Sequence, residues 1–183
     1  MPTHMFAVYS RRANIGSRRR VTFPVHNIIF SDQCANLASP PKPAASLDVT
    51  ESQTTTIPVV PLSIPSPQTF PQISAYLYTH SASDLLAFLL PPCTLAAHTP
   101  PSVDETDLLT LRQHARRMAE TYTVQALLAQ AMTINGFWRN ACALGIFDLG
   151  LWDCMDVAWE VVLTALATAT GSLEALGDRA PAL

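Results

Sequence analysis

The chain has few charges, few glycines and no long hydrophobic run. Only 14% of its 183 residues are charged and 49% are hydrophobic, a balance that excludes a wholly disordered chain. No apolar run reaches the roughly 18 residues that a membrane-spanning helix requires. Six glycines against fifteen prolines indicate short elements with firm ends. The length is enough for one ordinary domain with a hydrophobic core.

The sequence also lacks the motifs that place catalytic or metal-binding groups side by side. Its four cysteines and five histidines form no CxxC, HxxxH or HExxH spacing, which argues against a zinc site and a disulfide framework. No GxSxG, GxGxxG or GxxxxGK[ST] loop occurs. We therefore predict no enzyme activity, cofactor, metal or small-molecule substrate, and an intracellular, reducing compartment. A small enzyme that uses a cysteine or aspartate, hydrolase-like in type, stays open as an alternative.

Positive charge is concentrated near the N-terminus. Residues 1–50 hold six Lys/Arg and two Asp/Glu, so six minus two gives +4, whereas five and twelve in residues 51–183 give −7. A basic cluster of this kind is typical of an import signal or a phosphate-binding segment. Because no aromatic residues interleave it, direct nucleic-acid binding is the lesser interpretation, and a solvated hairpin end is the plain one. The candidate import signal comprises Arg11, Arg12, Arg18, Arg19 and Arg20.

Three segments have the pattern of β-strands. Short apolar runs at Met5–Tyr9 and Val21–Val25 predict two strands joined around a turn. Residues 54–64 predict a third, and its prolines Pro58 and Pro61 assign it to a sheet edge or a bulge, because proline cannot donate to a ladder. Proline-rich residues 38–50 and 91–103 are predicted to be loops.

Helices are predicted from residue 66 onward, after a short one within 26–37. Ser66 or Thr69 can cap the first, and Ser83 the next, over Asp84–Leu90. Ser102 and Glu105 form a capping-box pattern before a third. The first helix carries Phe70, Ile73, Tyr76, Leu77 and Tyr78, and Phe70, Ile73 and Leu77 share one face at helical spacing. The third repeats apolar residues in steps of three and four: Leu108, Leu111, Ala115, Met118 and Tyr122.

The C-terminal part predicts three more helices. Thr123 caps one that Gly136 ends, Phe137–Leu144 forms a short one, and Asp148 caps a long one that ends at Gly171. The predicted buried face after Thr123 comprises Val124, Leu127, Leu128, Ala131 and Ile134. The long helix repeats Trp152, Met155, Trp159, Val162 and Leu166 at helical spacing.

The tryptophans Trp138, Trp152 and Trp159 allow two interpretations. At helical spacing, tryptophans usually pack in a core. They also anchor interfaces, so an exposed one would favour docking. The candidate core or interaction residues are Phe70, Ile73, Tyr76, Leu77, Tyr78, Leu108, Leu111, Met118, Tyr122, Trp152 and Trp159.

These elements predict an α+β fold, with a small N-terminal sheet packed by a cluster of helices. We expect residues 1–20 to be a basic segment, partly flexible or forming the first strand. Residues 21–171 are expected to be the domain and 172–183 a flexible tail.

Two stretches resemble BTB/POZ domains. The segment TFPQISAYLYTH resembles their hallmark helix, and FPVHNIIFSDQCANL resembles the passage from second strand to first helix, with His26 at the family's histidine position. DLLTLRQHARRMAETYTVQALL is similar to the helix pair that follows. The resemblance implies a BTB/POZ-like interaction domain that binds a partner or a second copy by a sheet edge and a helix face.

Two longer blocks are similar to the fungal clampless protein 1 family of basidiomycetes. They are ESQTTTIPVVPLSIPSPQTFPQISAYLYTHSASDLLAFLLP and GFWRNACALGIFDLGLWDCMDVAWEVV, about half of the chain. The resemblance implies a nuclear or nucleocytoplasmic regulator of sexual development, in clamp-cell formation and dikaryon growth during mating. Expected partners are proteins, either transcription factors or a second copy, and no membrane. The proline-flanked strand also resembles ubiquitin-ligase adaptors such as elongin C, so an adaptor for a cullin-type ligase is the alternative.

Overall fold

The computed structural model describes residues 1–11, 20–37, 57–92 and 108–171. Within them, a three-stranded sheet and six α-helices give the mixed α+β fold that the sequence predicts. The chain divides into two compact units. Unit 1 comprises Met1–Tyr78 with Arg139–Phe147, and unit 2 comprises Thr79–Trp138 with Asp148–Leu183.

Several predicted features lie outside the described residues. These are Arg12, Arg18 and Arg19, the loop at 38–50 and most of that at 91–103, the capping box at Ser102 and Glu105, the side chain of Leu108, and the tail at 172–183. Among the helices of the described segments, none is both long and apolar enough to span a membrane.

The sheet belongs to unit 1 and has the order β2–β1–β3. The central strand β1 (His4–Ser10) runs antiparallel to β2 (Val21–Val25) and parallel to β3 (Val59–Ile64). The two N-terminal strands are therefore confirmed. The third lies within the predicted 54–64 segment and begins at Val59.

Strand β3 is an edge strand of the described sheet, as its prolines predicted. The N–H of Met5 donates to the carbonyl of Pro58 at 3.0 Å, and that of Arg11 to the carbonyl of Ile64 at 3.1 Å. Along a parallel ladder, alternate residues direct their backbone N–H and C=O groups to the neighbouring strand. The even-numbered residues of β3 therefore bond to β1, and the backbone nitrogen of Pro61 is on the outer edge. The outer row of this edge lacks one N–H donor, which makes it a poor template for another strand.

Aromatic rings form the core of unit 1, between the sheet, α1 (Asn27–Gln33) and α2 (Phe70–Thr79). Phe6 meets Phe30 edge-on with ring centroids 5.1 Å apart, and Phe30 stacks on Phe70 at 6.1 Å. All three side chains are fully buried. Such pairs stabilise a core beyond the area they bury. The predicted apolar face of α2 is thus confirmed.

Helices build unit 2. They are α3 (Ala82–Leu89), α4 (Leu108–Thr121), α5 (Val124–Leu144), which lies in this unit as far as Trp138, and α6 (Leu149–Ala169). Helix α6 packs against both α3 and α4. Its buried face comprises Leu151, Cys154, Met155, Val157, Ala158, Val161, Val162 and Ala165.

Two of the predicted caps, Thr123 and Asp148, are confirmed. The Thr123 hydroxyl accepts the N–H of Ala126 at 3.2 Å, and the Asp148 carboxylate accepts the N–H of Leu151 at 3.0 Å. Each bond satisfies a donor that the first helical turn leaves without a partner. Helix α6 also ends where predicted, close to Gly171, whose φ is 68°.

Three predictions in the helical part are wrong. Helix α5 continues through Gly136 to Leu144, because one glycine costs a helix only about 1 kcal/mol and the apolar pattern on both sides of it outweighs that cost. The stop is Gly145, which adopts the left-handed φ of 67°. Helix α3 begins two residues earlier than predicted, with Ser81 as its cap in place of Ser83.

The third error concerns the orientation of α5. Leu127, Ala131 and Ile134 are buried as predicted, whereas Val124 and Leu128 are exposed. An apolar pattern wider than one face does not determine which side a helix turns inward; its packing partners do.

Candidate interaction site

A groove of about 270 Å³ opens in unit 2 between α5 and α6. Each helix contributes the same pattern: an apolar residue, then Asn or Asp, then a tryptophan three positions later. On each helix the tryptophan side chain lies next to the other two, because spacings of three and four residues bring side chains together on the helix surface. The lining residues are Ile134, Asn135 and Trp138 from α5, and Met155, Asp156 and Trp159 from α6.

The groove has a buried apolar floor and exposed aromatic walls. Ile134 and Met155 are each only 2% exposed, whereas Trp138 is 47% and Trp159 37% exposed. Tryptophan is costly to leave in water and is the side chain most often found at the energetic centre of interfaces. Of the two interpretations of these tryptophans, docking therefore fits both Trp159 and Trp138.

The polar groups of the groove are Asp156 and Asn135, both exposed. Within the described part of the chain, neither side chain forms an ion pair or a hydrogen bond. The carboxylate of Asp156 thus adds a negative charge to the groove. Two indoles and one carboxylate together suit a positively charged ligand that also has a flat or apolar part.

Exposed apolar residues continue along both helices on the side that carries the groove residues. On α5 they are Val124, Leu128 and Met132, and on α6 they are Leu149 and Leu163. A row of this kind is uncommon on a surface that faces only water and marks interaction sites. The sequence signal for it was the width of the apolar pattern on α5.

Most predicted candidate residues lie in the cores of the two units. In unit 1, Phe70, Ile73, Tyr76 and Leu77 are at most 4% exposed. In unit 2, Leu111 and Met118 of α4 are buried. The half-buried Tyr122 donates its hydroxyl to the carbonyl of Pro92 at 2.6 Å, and Trp152 is half-buried.

Tyr78 is the exposed member of the α2 set, and it meets the histidine that the BTB/POZ resemblance singled out. The Tyr78 hydroxyl accepts the backbone N–H of His26 at 2.7 Å and lies 3.0 Å from Nδ1 of its ring. The two rings meet edge-on with centroids 5.7 Å apart. This contact connects the start of α1 to the end of α2 inside unit 1.

A polar site that sequence reasoning missed lies at Asn140, which is fully buried in unit 1. Its Oδ1 accepts the N–H of Ser66 at 2.9 Å, and its Nδ2 donates to the Ser66 carbonyl at 2.6 Å and to the Thr69 hydroxyl at 2.9 Å. One side chain thus satisfies both backbone groups of the residue that precedes the helical turn Pro67–Thr69. No local pattern signals this contact, because Asn140 lies 74 positions after Ser66 in the sequence.

Among the described residues, burial shifts the pKa values of two thiols and one imidazole. Burial raises the pKa of the Cys34 thiol to about 11, and burial followed by Asp153 and Asp148 raises the pKa of Cys154 to about 11. Both thiols therefore stay protonated and poorly nucleophilic at neutral pH. Burial, and then Arg117, lowers the pKa of His114. Across the described ranges, no three His, Cys, Asp or Glu side chains converge to hold a metal ion.

The described arginines of the basic cluster are Arg11 and Arg20, both exposed. The guanidinium of Arg20 lies 6.0 Å from the centroid of the Tyr9 ring. A second groove of about 530 Å³, between α4 and α6, is lined mainly by charged and hydroxyl side chains, among them Arg112, Arg116 and Glu160, and has no aromatic wall.

Comparisons with known proteins agree with the resemblance to the clampless protein 1 family. The family model for the Clampless protein 1 N-terminal domain matches residues 1–65, and that for the Clampless protein 1 C-terminal domain matches residues 83–182. Two curated proteins, each named Clampless protein 1 and from two strains of Cryptococcus neoformans var. neoformans serotype D, are 35% identical over 111 residues. The match covers 61% of this chain and 21% of each relative, so the chain spans about a fifth of their length. No solved structure matches.

Proposed function

Because the chain belongs to the clampless protein 1 family, we propose that it is a non-enzymatic interaction protein in fungal sexual development. The process we assign to it is clamp-cell formation and dikaryon growth, through binding of regulatory protein partners. The family match supports the developmental role. The groove between α5 and α6 supports the mode of action.

The half-exposed pair Trp138 and Trp159 is the observation that carries this proposal. A partner that covers the groove removes two large aromatic surfaces from water. The floor below them, Ile134 and Met155, is already buried. Buried aromatic anchors of this type supply most of the energy of an interface. Burial raises the pKa values of the Cys34 and Cys154 thiols, which disfavours either as an activated nucleophile.

We further propose that residues 21–171 form a BTB/POZ-like interaction domain. In support, two of the three segments that carry the resemblance meet in the contact between His26 and Tyr78. The partner-binding surface that we assign is a helical one. The proline on the outer side of β3 disfavours binding by addition of a strand.

We also propose a nuclear or nucleocytoplasmic location, with Arg11–Arg20 as the import signal. Its arginine content supports this assignment. Replacing the five arginines by glutamine in a fluorescent fusion is expected to shift the protein from nuclei to cytoplasm. An unchanged nuclear signal contradicts the assignment.

Affinity purification with mass spectrometry from a mating culture tests the interaction role. The wild-type chain is expected to retain regulatory proteins that the double variant Trp138→Ala, Trp159→Ala loses. Ile28→Ala is the control, because Ile28 is an exposed apolar residue of α1 that does not line the groove. Equal retention by all three proteins, or the absence of any retained partner, contradicts the proposal.

A further inference from the structure

The groove between α5 and α6 has the chemistry of a site for a positively charged side chain. Two indole rings, of Trp138 and Trp159, line it together with the carboxylate of Asp156 and the amide of Asn135. The negative face of an indole attracts a cation, and the carboxylate adds a full charge. Within the described residues, no cation of this chain pairs with Asp156.

The size of the groove fits one side chain. At about 270 Å³ it lies just below the range of roughly 300–1,000 Å³ typical of sites for drug-sized ligands. Its floor, Ile134 and Met155, is apolar and suits the hydrocarbon stem of a long side chain. Arginine fits better than lysine, because its planar guanidinium stacks on indole and can donate two parallel hydrogen bonds to a carboxylate.

The chain itself carries a segment with this chemistry. Five arginines lie between positions 11 and 20, within residues 1–50 that carry a net charge of +4, whereas the groove lies within residues 51–183 that carry −7. Opposite charge favours encounter and fixes which surfaces meet.

We propose that the groove binds an arginine from the 11–20 segment of a second copy of the chain. This inference rests on the proposed function, whose interaction site it uses, and it names the partner. In the complex, the guanidinium lies between the indoles and pairs with Asp156. Self-association of this kind weakens as ionic strength rises, because the pairing groups are exposed.

A peptide titration tests the groove. The probe is a fluorescein-labelled peptide with the sequence of residues 10–21, SRRANIGSRRRV, and the readout is fluorescence anisotropy with the full chain. Asp156→Asn is expected to weaken binding about fivefold or more, the loss of a charged contact at a partly covered site. Asp153→Asn is the matched control: it removes the same charge from an exposed position on the same helix, outside the groove. A change below twofold is expected for it.

Two results of the titration overturn the inference. One is the absence of binding to the wild-type chain. The other is an equal loss in the two aspartate variants, which indicates a diffuse charge effect. A peptide with all five arginines changed to lysine is expected to bind more weakly. Equal binding contradicts the stacked guanidinium.

Sedimentation velocity of the full chain tests the second copy. The wild-type chain is expected to self-associate at low salt, and Asp156→Asn to shift toward monomer while Asp153→Asn does not. A monomeric wild-type chain whose groove still binds the peptide overturns the assignment to a second copy. If peptide and self-association both fail while the tryptophan variant still loses partners in the mating culture, this inference fails and the proposed function stands.

Discussion

The side-chain amide of Asn140 bonds both backbone groups of Ser66, its Oδ1 accepting the N–H at 2.9 Å and its Nδ2 donating to the carbonyl at 2.6 Å. Asn140 lies near the end of α5 and is fully buried. Its contact fixes the turn from which α2 begins. The fold of unit 1 therefore depends on a residue that lies 74 positions away from its partner.

Asn140→Ala is expected to destabilise the protein by about 1–3 kcal/mol, because the part-buried N–H of Ser66 loses its acceptor and the Ser66 carbonyl keeps only the groups of Thr69 as donors. The free energy of unfolding from urea titration measures this. Asn135→Ala, an exposed asparagine on the same helix, is the control and is expected to change it by less than about 0.5 kcal/mol. Similar values for the two variants contradict the role of Asn140.

Asp148 has two contacts that mutations can separate. One carboxylate oxygen caps α6 through Leu151, and the other lies 2.9 Å from Nδ1 of His80. Asp148→Ala is expected to cost about 1–2 kcal/mol of stability through the lost cap. Asp148→Asn keeps an acceptor and is expected to cost less. If thermal unfolding shows equal losses for both, the cap is not the main contribution of this residue.

Gly145 and Gly171, the left-handed glycines of the described residues, form a matched pair. A Cβ at Gly145 would lie 2.9 Å from Cγ of Asn36, whereas a Cβ at Gly171 meets nothing within 4 Å. Gly171→Ala is expected to cost only the conformational penalty of about 1–2 kcal/mol. Gly145→Ala carries that penalty and a steric clash, so its loss of stability is expected to be larger. Equal melting temperatures of the two variants contradict the tight packing at Gly145.

Stability is expected to fall between about pH 9 and pH 11. Burial raises the pKa values of Cys34 and Cys154 from 9.0 to about 11, so in this window the unfolded chain loses protons that the folded chain keeps. The free energy of unfolding then decreases as pH rises. In a Cys34→Ala, Cys154→Ala variant, the slope of stability against pH is expected to be shallower. An unchanged slope contradicts the burial of the two thiols.

Local patterns predicted the parts of the fold that depend on neighbours in sequence. The strands of unit 1, the buried face from Phe70 to Leu77 and the caps at Thr123 and Asp148 each follow from short-range spacing. The predicted helix end at Gly136 was wrong, because packing of the apolar residues on both sides outweighs the low helix propensity of one glycine.

The groove required long-range information. Trp159 was a candidate from sequence, but its pairing with Trp138 depends on how α5 and α6 pack. The wide apolar pattern of α5 left its inward side undetermined. The repeated apolar–Asx–x–x–Trp pattern is a local signal that points to the groove only once the two helices are known to be neighbours.

The most direct test of the interaction site is site-specific photo-crosslinking in a mating culture. Position 159 is changed from tryptophan to p-benzoylphenylalanine, and in a control protein the exposed Ile28 of unit 1 is changed in the same way. Our account predicts a covalent adduct with a second copy of the chain or with a regulatory protein at position 159 and none at position 28. No adduct at position 159, or equal adducts at both positions, would contradict it.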